Sequence, residues 1–100
     1  VPEAYGGPGL DFRANVIAAE EVAYAGSAAG FSLQSDIVCD YILAYGSEEQ
    51  KRKWLPRMVT GEAITAIAMT EPGAGSDLQG MKTIARADGN GWRLSGSKTY

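Results

Sequence analysis

The chain contains no histidine. That excludes Ser-His and Cys-His nucleophilic machinery, and His-ligated metals, from anything these residues do by themselves. Its one cysteine, Cys39, excludes an internal disulfide framework and a CxxC zinc module. A surplus of positive charge is also missing. Lys and Arg number 9 against 12 Asp and Glu, a net charge of -3, whereas a nucleic-acid binder shows a basic surplus or a basic stripe. The one dense basic run, Lys51-Arg52-Lys53, is offset by Glu48 and Glu49. Long hydrophobic runs are absent too. The longest lie around Ile37 to Tyr45, Asp40 interrupts them, and none approaches the ~20 residues that cross a bilayer. Neither a nucleic-acid partner nor a membrane span is expected. No signal peptide is visible, and both ends, Val1 and Tyr100, read as cut, so a segment of a longer protein is expected.

What is present is an ordinary globular composition. Of 100 residues 45% are hydrophobic and 21% charged, which argues against intrinsic disorder and suffices for one small domain.

Val1 to Leu10 holds Pro2, Gly6, Gly7, Pro8 and Gly9 and reads as loop. Asp11 is the expected N-cap of a helix from about Phe12 to Tyr24, ended by Gly26 and Ser27. Phe12, Val16, Ala19 and Ala23 give it an apolar stripe. A second helix is predicted from about Phe31 to Ala44. Its two apolar stripes, through Val38 and Ile42 and through Ile37 and Tyr41, imply burial from two sides. Gly46 is its expected C′ stop. Ser47-Glu48-Glu49-Gln50 has the capping-box pattern and opens a third helix. That helix carries Trp54 and Leu55 and is expected to be short, because Pro56 cannot continue its hydrogen bonding without a kink.

Thr60-Gly61-Glu62 is a turn, after which the pattern changes. Ile64 to Thr70 reads as a buried strand, Glu71 to Gly80 as a loop, and Met81 to Ala87 as an alternating strand. Asp88-Gly89-Asn90-Gly91 is a turn, and Trp92-Arg93-Leu94 pairs back. Helices then strands is the fold-class reading, α followed by β. The domain boundary is set near Gly61, giving a helical region over residues 1–62 and a strand-forming region over residues 63–100.

Thr70-Glu71-Pro72-Gly73-Ala74-Gly75-Ser76-Asp77 is the segment that can carry chemistry. Small residues let its backbone approach a ligand closely, free N–H groups there can form an anion-binding nest, and Thr70 and Ser76 add hydroxyls. A tight surface turn after a strand explains the same composition. A Walker A loop is excluded because no Lys-Ser/Thr pair follows. A dinucleotide-binding GxGxxG is excluded because Leu78 stands at its third glycine.

The wider pattern resembles the acyl-CoA dehydrogenase family. Ala68-Met69-Thr70-Glu71-Pro72-Gly73-Ala74-Gly75-Ser76-Asp77 is similar to its signature. Pro2-Glu3-Ala4-Tyr5-Gly6-Gly7 resembles its PxxYGG segment. Gly46-Ser47-Glu48-Glu49-Gln50-Lys51 with Trp54-Leu55-Pro56 resembles its GxxEQK…LP segment, and Leu94-Ser95-Gly96-Ser97-Lys98 its LxGxK step. The resemblance covers essentially the whole chain in order and spacing. Phe31-Ser32-Leu33, Ile67-Ala68-Met69 and Asp77-Leu78-Gln79-Gly80 look most like the long-chain branch.

The resemblance implies the latter portion of an all-α N-terminal domain followed by the first strands of a β-barrel middle domain. It implies FAD as cofactor and α,β-dehydrogenation of a saturated acyl-CoA thioester in fatty acid β-oxidation. Electrons would go to an electron-transferring flavoprotein. A homo-oligomer, dimer or tetramer, is implied, in the bacterial cytoplasm or the mitochondrial matrix. It places Ile67 to Ser76 along the isoalloxazine ring and the start of the pyrophosphate, so that Ile67, Met69, Thr70, Gly75 and Ser76 bind the cofactor. Ser76 also touches the acyl-CoA. Tyr100 falls where the family begins its Trp-Ile-Thr flavin strand. Tyrosine departs from tryptophan but keeps a ring for stacking, and the strand's threonine is not among these residues. No residue matches the family's catalytic glutamate, and neither Glu62 nor Glu71 is given that role. An acyl-CoA oxidase or flavin monooxygenase relative of the same fold is the alternative. A non-enzymatic helical interaction module is the alternative from another class.

The remaining candidates read as structural. Adjacent Glu20 and Glu21 point apart on a helix. Cys39 reads as inert core. Asp36 and Asp40 alone are a poor metal site. Tyr24, Tyr41 and Tyr45 read as packing residues, and Trp54 as an interdomain anchor.

Overall fold

The computed structural model describes residues 1–29 and 33–100, with the backbone alone at 33–35. The chain divides into two compact units, Val1–Ala66 and Ile67–Tyr100.

The first unit is helical. A short 3-10 turn, Glu3–Tyr5, precedes α1, Phe12–Tyr24. Asp11 caps α1 as its sequence position requires: the carboxylate accepts from the Arg13 N–H at 3.0 Å and also pairs with the Arg13 guanidinium. The apolar stripe of α1 is exposed at Phe12, Val16 and Ile17.

The expected second helix is reshaped. A π-helical stretch, Leu33–Val38, leads into α2, Cys39–Tyr45, and Phe31 lies outside the described residues. A π turn adds a residue to the repeat, so a stripe counted at 3.6 residues per turn drifts off one face. Cys39 is buried and Ile37, Val38, Ile42 and Leu43 are half-buried, whereas Tyr41, Tyr45 and also Tyr24 are exposed. Gly46 does end α2, but its φ is −71°, not left-handed. Its smallness is what matters, because a Cβ there would lie 2.5 Å from the Ile42 carbonyl oxygen.

The helix α3, Glu48–Val59, starts at a complete capping box. The Gln50 N–H donates to the Ser47 hydroxyl at 3.2 Å, and the Ser47 N–H donates to the Gln50 side chain at 2.8 Å. Pro56 sits inside α3, which continues to Val59. The helix is therefore longer than expected. Proline removes one i→i−4 bond, to the carbonyl of the exposed Arg52. Burial of Leu55, at 0% exposure, together with the partial burial of Met58, offsets that loss. The Tyr5 hydroxyl donates to Glu48 at 3.0 Å and ties the 3-10 turn to the start of α3. This bond lowers the Glu48 pKa, with help from Lys51, and raises that of Tyr5, against the pull of Lys51.

The second unit is built on a hairpin. Strands β1, Ile84–Asp88, and β2, Gly91–Ser95, pair antiparallel with Asp88 opposite Gly91. Gly89 and Asn90 form the two-residue loop, with a left-handed φ of +60° at Gly89 and none at Asn90. That is the pattern of a type II′ turn. Ala85 and Ala87 oppose Leu94 and Trp92, so those four share an apolar face, and Trp92 and Leu94 are 73% and 74% exposed. Arg86 stands directly opposite Arg93, a repulsive pairing. Asp88 offsets it by pairing with Arg93 at 2.7 Å.

Helices followed by two antiparallel strands match the expected fold class. The strand expected over 64–70 does not form. A strand needs a continuous hydrogen-bonded neighbour, and among the described residues the backbone bond that joins this segment to another lies at its end, from the Thr99 N–H to the Thr70 carbonyl at 2.9 Å. The alternation that suggested a strand survives in burial: Thr65, Ile67 and Met69 are half-buried and Ile64, Ala66 and Ala68 exposed. Among the described residues no helix is long and apolar enough to cross a membrane.

Candidate functional site

The segment 67–77 and the end of the chain meet within the second unit. Glu71 and Ala74 exchange two backbone bonds, at 2.9 and 3.1 Å, and close a tight turn over Pro72 and Gly73. Ile67, Met69 and Thr70 form the half-buried stem of this loop, and Gly75 and Ser76 are exposed beyond it. The structure brings Thr70 beside Thr99, the neighbour of Tyr100. The Tyr100 side chain is 91% exposed, and the structure shows no bond between it and Gly75 or Ser76.

Glu71 anchors the stem. It is buried, at 7% exposure, and a buried carboxylate persists only when its oxygens are satisfied. One oxygen, Oε2, accepts from the Lys82 N–H at 2.7 Å. The other, Oε1, accepts from the Thr83 N–H and from Lys98 Nζ, each at 3.0 Å. The same ammonium donates to the Met69 carbonyl at 3.0 Å. These contacts hold the Glu71 pKa down at about 2. The Thr83 hydroxyl beside it contributes most, then the Lys82 N–H and the Lys98 ammonium. That hydroxyl is buried and falls short of full hydrogen-bond geometry. A carboxylate so strongly held in its ionised form is a poor proton acceptor at neutral pH. The geometry thus keeps Glu71 out of general-base work.

Sequence reasoning missed Glu71 and Lys98 as a pair. Glu71 lies 11, 12 and 27 residues from its three donors, separations that no local periodicity reports. The signals available were a lone acid before Pro72 and a lone lysine after Gly96.

The exposed tip has the donor chemistry of an anion site. The N–H groups of Gly73, Gly75 and Ser76 and the Ser76 hydroxyl have no partner among the described residues. A Cβ at Gly73 or Gly75 would meet nothing within 4 Å, and neither residue has a left-handed φ. Glycine here is therefore not demanded by the chain's own packing. Free N–H groups with open space above them are what a pyrophosphate requires, so the residues present fit the phosphate end of FAD.

Elsewhere, burial raises the Cys39 thiol pKa, in keeping with inert core. Asp36 accepts from the Asn15 side chain at 2.6 Å. Lys53 and Arg57 lie over the Trp54 ring, at 5.1 and 5.5 Å from its centroid.

Comparison with known proteins matches residues 1–62 to the acyl-CoA dehydrogenase N-terminal domain and residues 66–100 to the acyl-CoA dehydrogenase middle domain. The mitochondrial long-chain specific acyl-CoA dehydrogenase of Sus scrofa is 54% identical over 101 residues, covering 100% of this chain and 24% of that protein. The crystal structure of an acyl-CoA dehydrogenase from Geobacillus kaustophilus superposes with a TM-score of 0.88 at 54% identity, over 100% of this chain and 27% of that one. An acyl-CoA dehydrogenase from Bacillus anthracis, crystallised with FAD, does so with a TM-score of 0.73 at 42% identity, over 98% and 17%. The chain thus spans about a quarter of the length of the Sus scrofa and Geobacillus proteins it matches.

Proposed function

The chain belongs to the acyl-CoA dehydrogenase family, and from that premise we propose that it forms a portion of an FAD-dependent enzyme that dehydrogenates a saturated acyl-CoA thioester between Cα and Cβ. The observation that carries this reading is the exposed set of donors at Gly75 and Ser76, unpaired among the described residues, on a stem fixed by Glu71. When bound, FAD would supply the acceptor for the β hydrogen and its electron pair, while a carboxylate would take the α proton. The chain's own residues bind and orient. Ile67 and Met69 flank the ring, and Thr70 donates at its edge, where donors stabilise the charge that arrives with hydride. The Gly75 and Ser76 donors hold the pyrophosphate, Ser76 touches the acyl-CoA, and Tyr100 stacks.

The carboxylate base lies outside these residues. Residues 1–62 belong to the helical N-terminal domain and 63–100 to the start of the β-barrel, which gives the exposed Trp92–Leu94 face an interior to line. Electron-transferring flavoprotein takes the electrons, and the enzyme works as a homo-oligomer in fatty acid β-oxidation, in a mitochondrial matrix or a bacterial cytoplasm. The test is direct. Full-length protein should purify yellow, with a flavin spectrum that bleaches when a saturated acyl-CoA is added without oxygen. A colourless, flavin-free protein overturns the reading.

A further inference from the structure

A surface turn does not need a buried carboxylate with an ammonium partner at its base. The Glu71–Ala74 backbone bonds already close the turn, yet Glu71 also gathers the 82–83 backbone and Lys98 onto one carboxylate. Lys98 in turn reaches the Met69 carbonyl at 3.0 Å, and the next residue, Thr99, bonds the Thr70 carbonyl at 2.9 Å. The close return of the chain makes this possible. At Gly96, whose φ is +151°, a Cβ would lie 2.2 Å from Thr83 Oγ1 and 2.7 Å from the Thr83 Cα. Only glycine lets residues 95–98 pass so near 83 and brings Lys98 within reach of Glu71.

We propose that Glu71 and Lys98 are positioning residues that hold Met69–Thr70 and Thr99–Tyr100 side by side, so that both segments present to the flavin as one surface. This rests on the reading of 67–77 as a flavin-binding segment. Without the pair, among the described residues the Thr99–Thr70 backbone bond joins them, and a small displacement at a binding surface costs affinity out of proportion to its size. An ordinary structural ion pair differs in its consequence: its loss lowers stability and leaves the bound flavin as it was.

The experiment uses the full-length holoenzyme with Lys98→Met, Lys98→Arg and Glu71→Gln. It measures the flavin dissociation constant, the visible circular dichroism of the bound flavin and its midpoint potential, alongside far-UV circular dichroism. Lys98→Met should fold normally, bind flavin about 10-fold or more weakly, as loss of a charge-assisted bond implies, and shift both the visible dichroism and the potential. Lys98→Arg keeps the charge and two donors and should recover most of the loss. Glu71→Gln should be worse than Lys98→Met, because its NH₂ group must face another donor. Should Glu71→Gln fail to fold, the two Lys98 variants decide. Wild-type flavin affinity, dichroism and potential in Lys98→Met overturn the positioning role even if the melting temperature falls. A wild-type enzyme that binds no flavin overturns the underlying reading instead.

Discussion

The two units of this chain are specified over different distances. In the helical unit, the contacts that start α1 and α3 are local: Asp11 to Arg13, two residues apart, and Ser47 to Gln50, three apart. Longer contacts, Tyr5 to Glu48 and Asn15 to Asp36, join elements already delimited. In the second unit the decisive contacts are remote, because Glu71 finds its partners 11, 12 and 27 residues away. A helix end is an accounting of nearby orphan N–H groups, which a neighbouring side chain can settle. The loop at 71–77 closes its own turn through Glu71 and Ala74 but takes its anchorage from what the rest of the chain brings to it.

If that contrast is right, perturbations should fall on the units unequally. The largest effect on stability belongs to Leu55→Ala in the full-length protein. Leu55 has 0% exposure, and truncating such a side chain costs about 2–5 kcal/mol. Chemical denaturation followed by helical circular dichroism should show that loss. A cost of a few tenths would mean that Leu55 is not the centre of the helical unit.

Acid should act on the other unit. Glu71 has its pKa lowered to about 2 from an ordinary value of 4.5. A lowered folded-state pKa contributes stability that is fully present above about 4.5 and is lost as pH falls through about 2. The protection factors for amide exchange at Lys82 and Thr83 should therefore fall across that window before those at the Ser47–Gln50 cap. In Glu71→Gln the protection factors there should no longer change with pH. Unchanged protection at Lys82 down to pH 2 in the parent protein would contradict the carboxylate's role.

A smaller loss is expected at Ser47→Ala, about 0.5–2 kcal/mol for a lost N-cap, with flavin content unchanged. An unmoved denaturation midpoint would show that the box is dispensable. The smallest effect on the fold is expected at Gly75→Val. With nothing within 4 Å of a Cβ there and no left-handed φ, stability should change by about 0.5 kcal/mol or less. Flavin content should nonetheless fall to a minor fraction, because the branched side chain occupies the space above the free donors. Ser76→Ala should be milder and weaken acyl-CoA binding more than flavin retention. Full flavin content in folded Gly75→Val would remove this loop from the cofactor site.

Legibility followed the range of each contact rather than the unit it lies in. The bounds of α1 at Phe12 and Tyr24, the capping box at Ser47 and the Gly89-Asn90 hairpin turn were all readable, since each is written within a few residues. The π turn ahead of α2 was not, because it shifts the register that periodicity assumes. Nor was the passage of α3 through Pro56, which depends on burial of Leu55 and Met58. The alternating pattern over 64–70 was read as a strand, yet alternation reports which side is covered, not whether a partner strand is present. At the candidate site, composition marked 70–77 as a small-residue loop with hydroxyls, and the motif resemblance supplied the family. Neither reported that Gly75 is free of conformational demand, or that Glu71 is engaged on both oxygens.

The sequence by itself thus determined where helices begin, where the pattern turns from helix to strand, and which loop carries the donors. These depend on capping groups and turn residues acting on their immediate neighbours. Only the tertiary structure decided that Glu71 is an anchor. Its protonation state is set by the Thr83 hydroxyl, two backbone N–H groups and the Lys98 ammonium, and their nearness to the carboxylate comes from the chain folding back at Gly96.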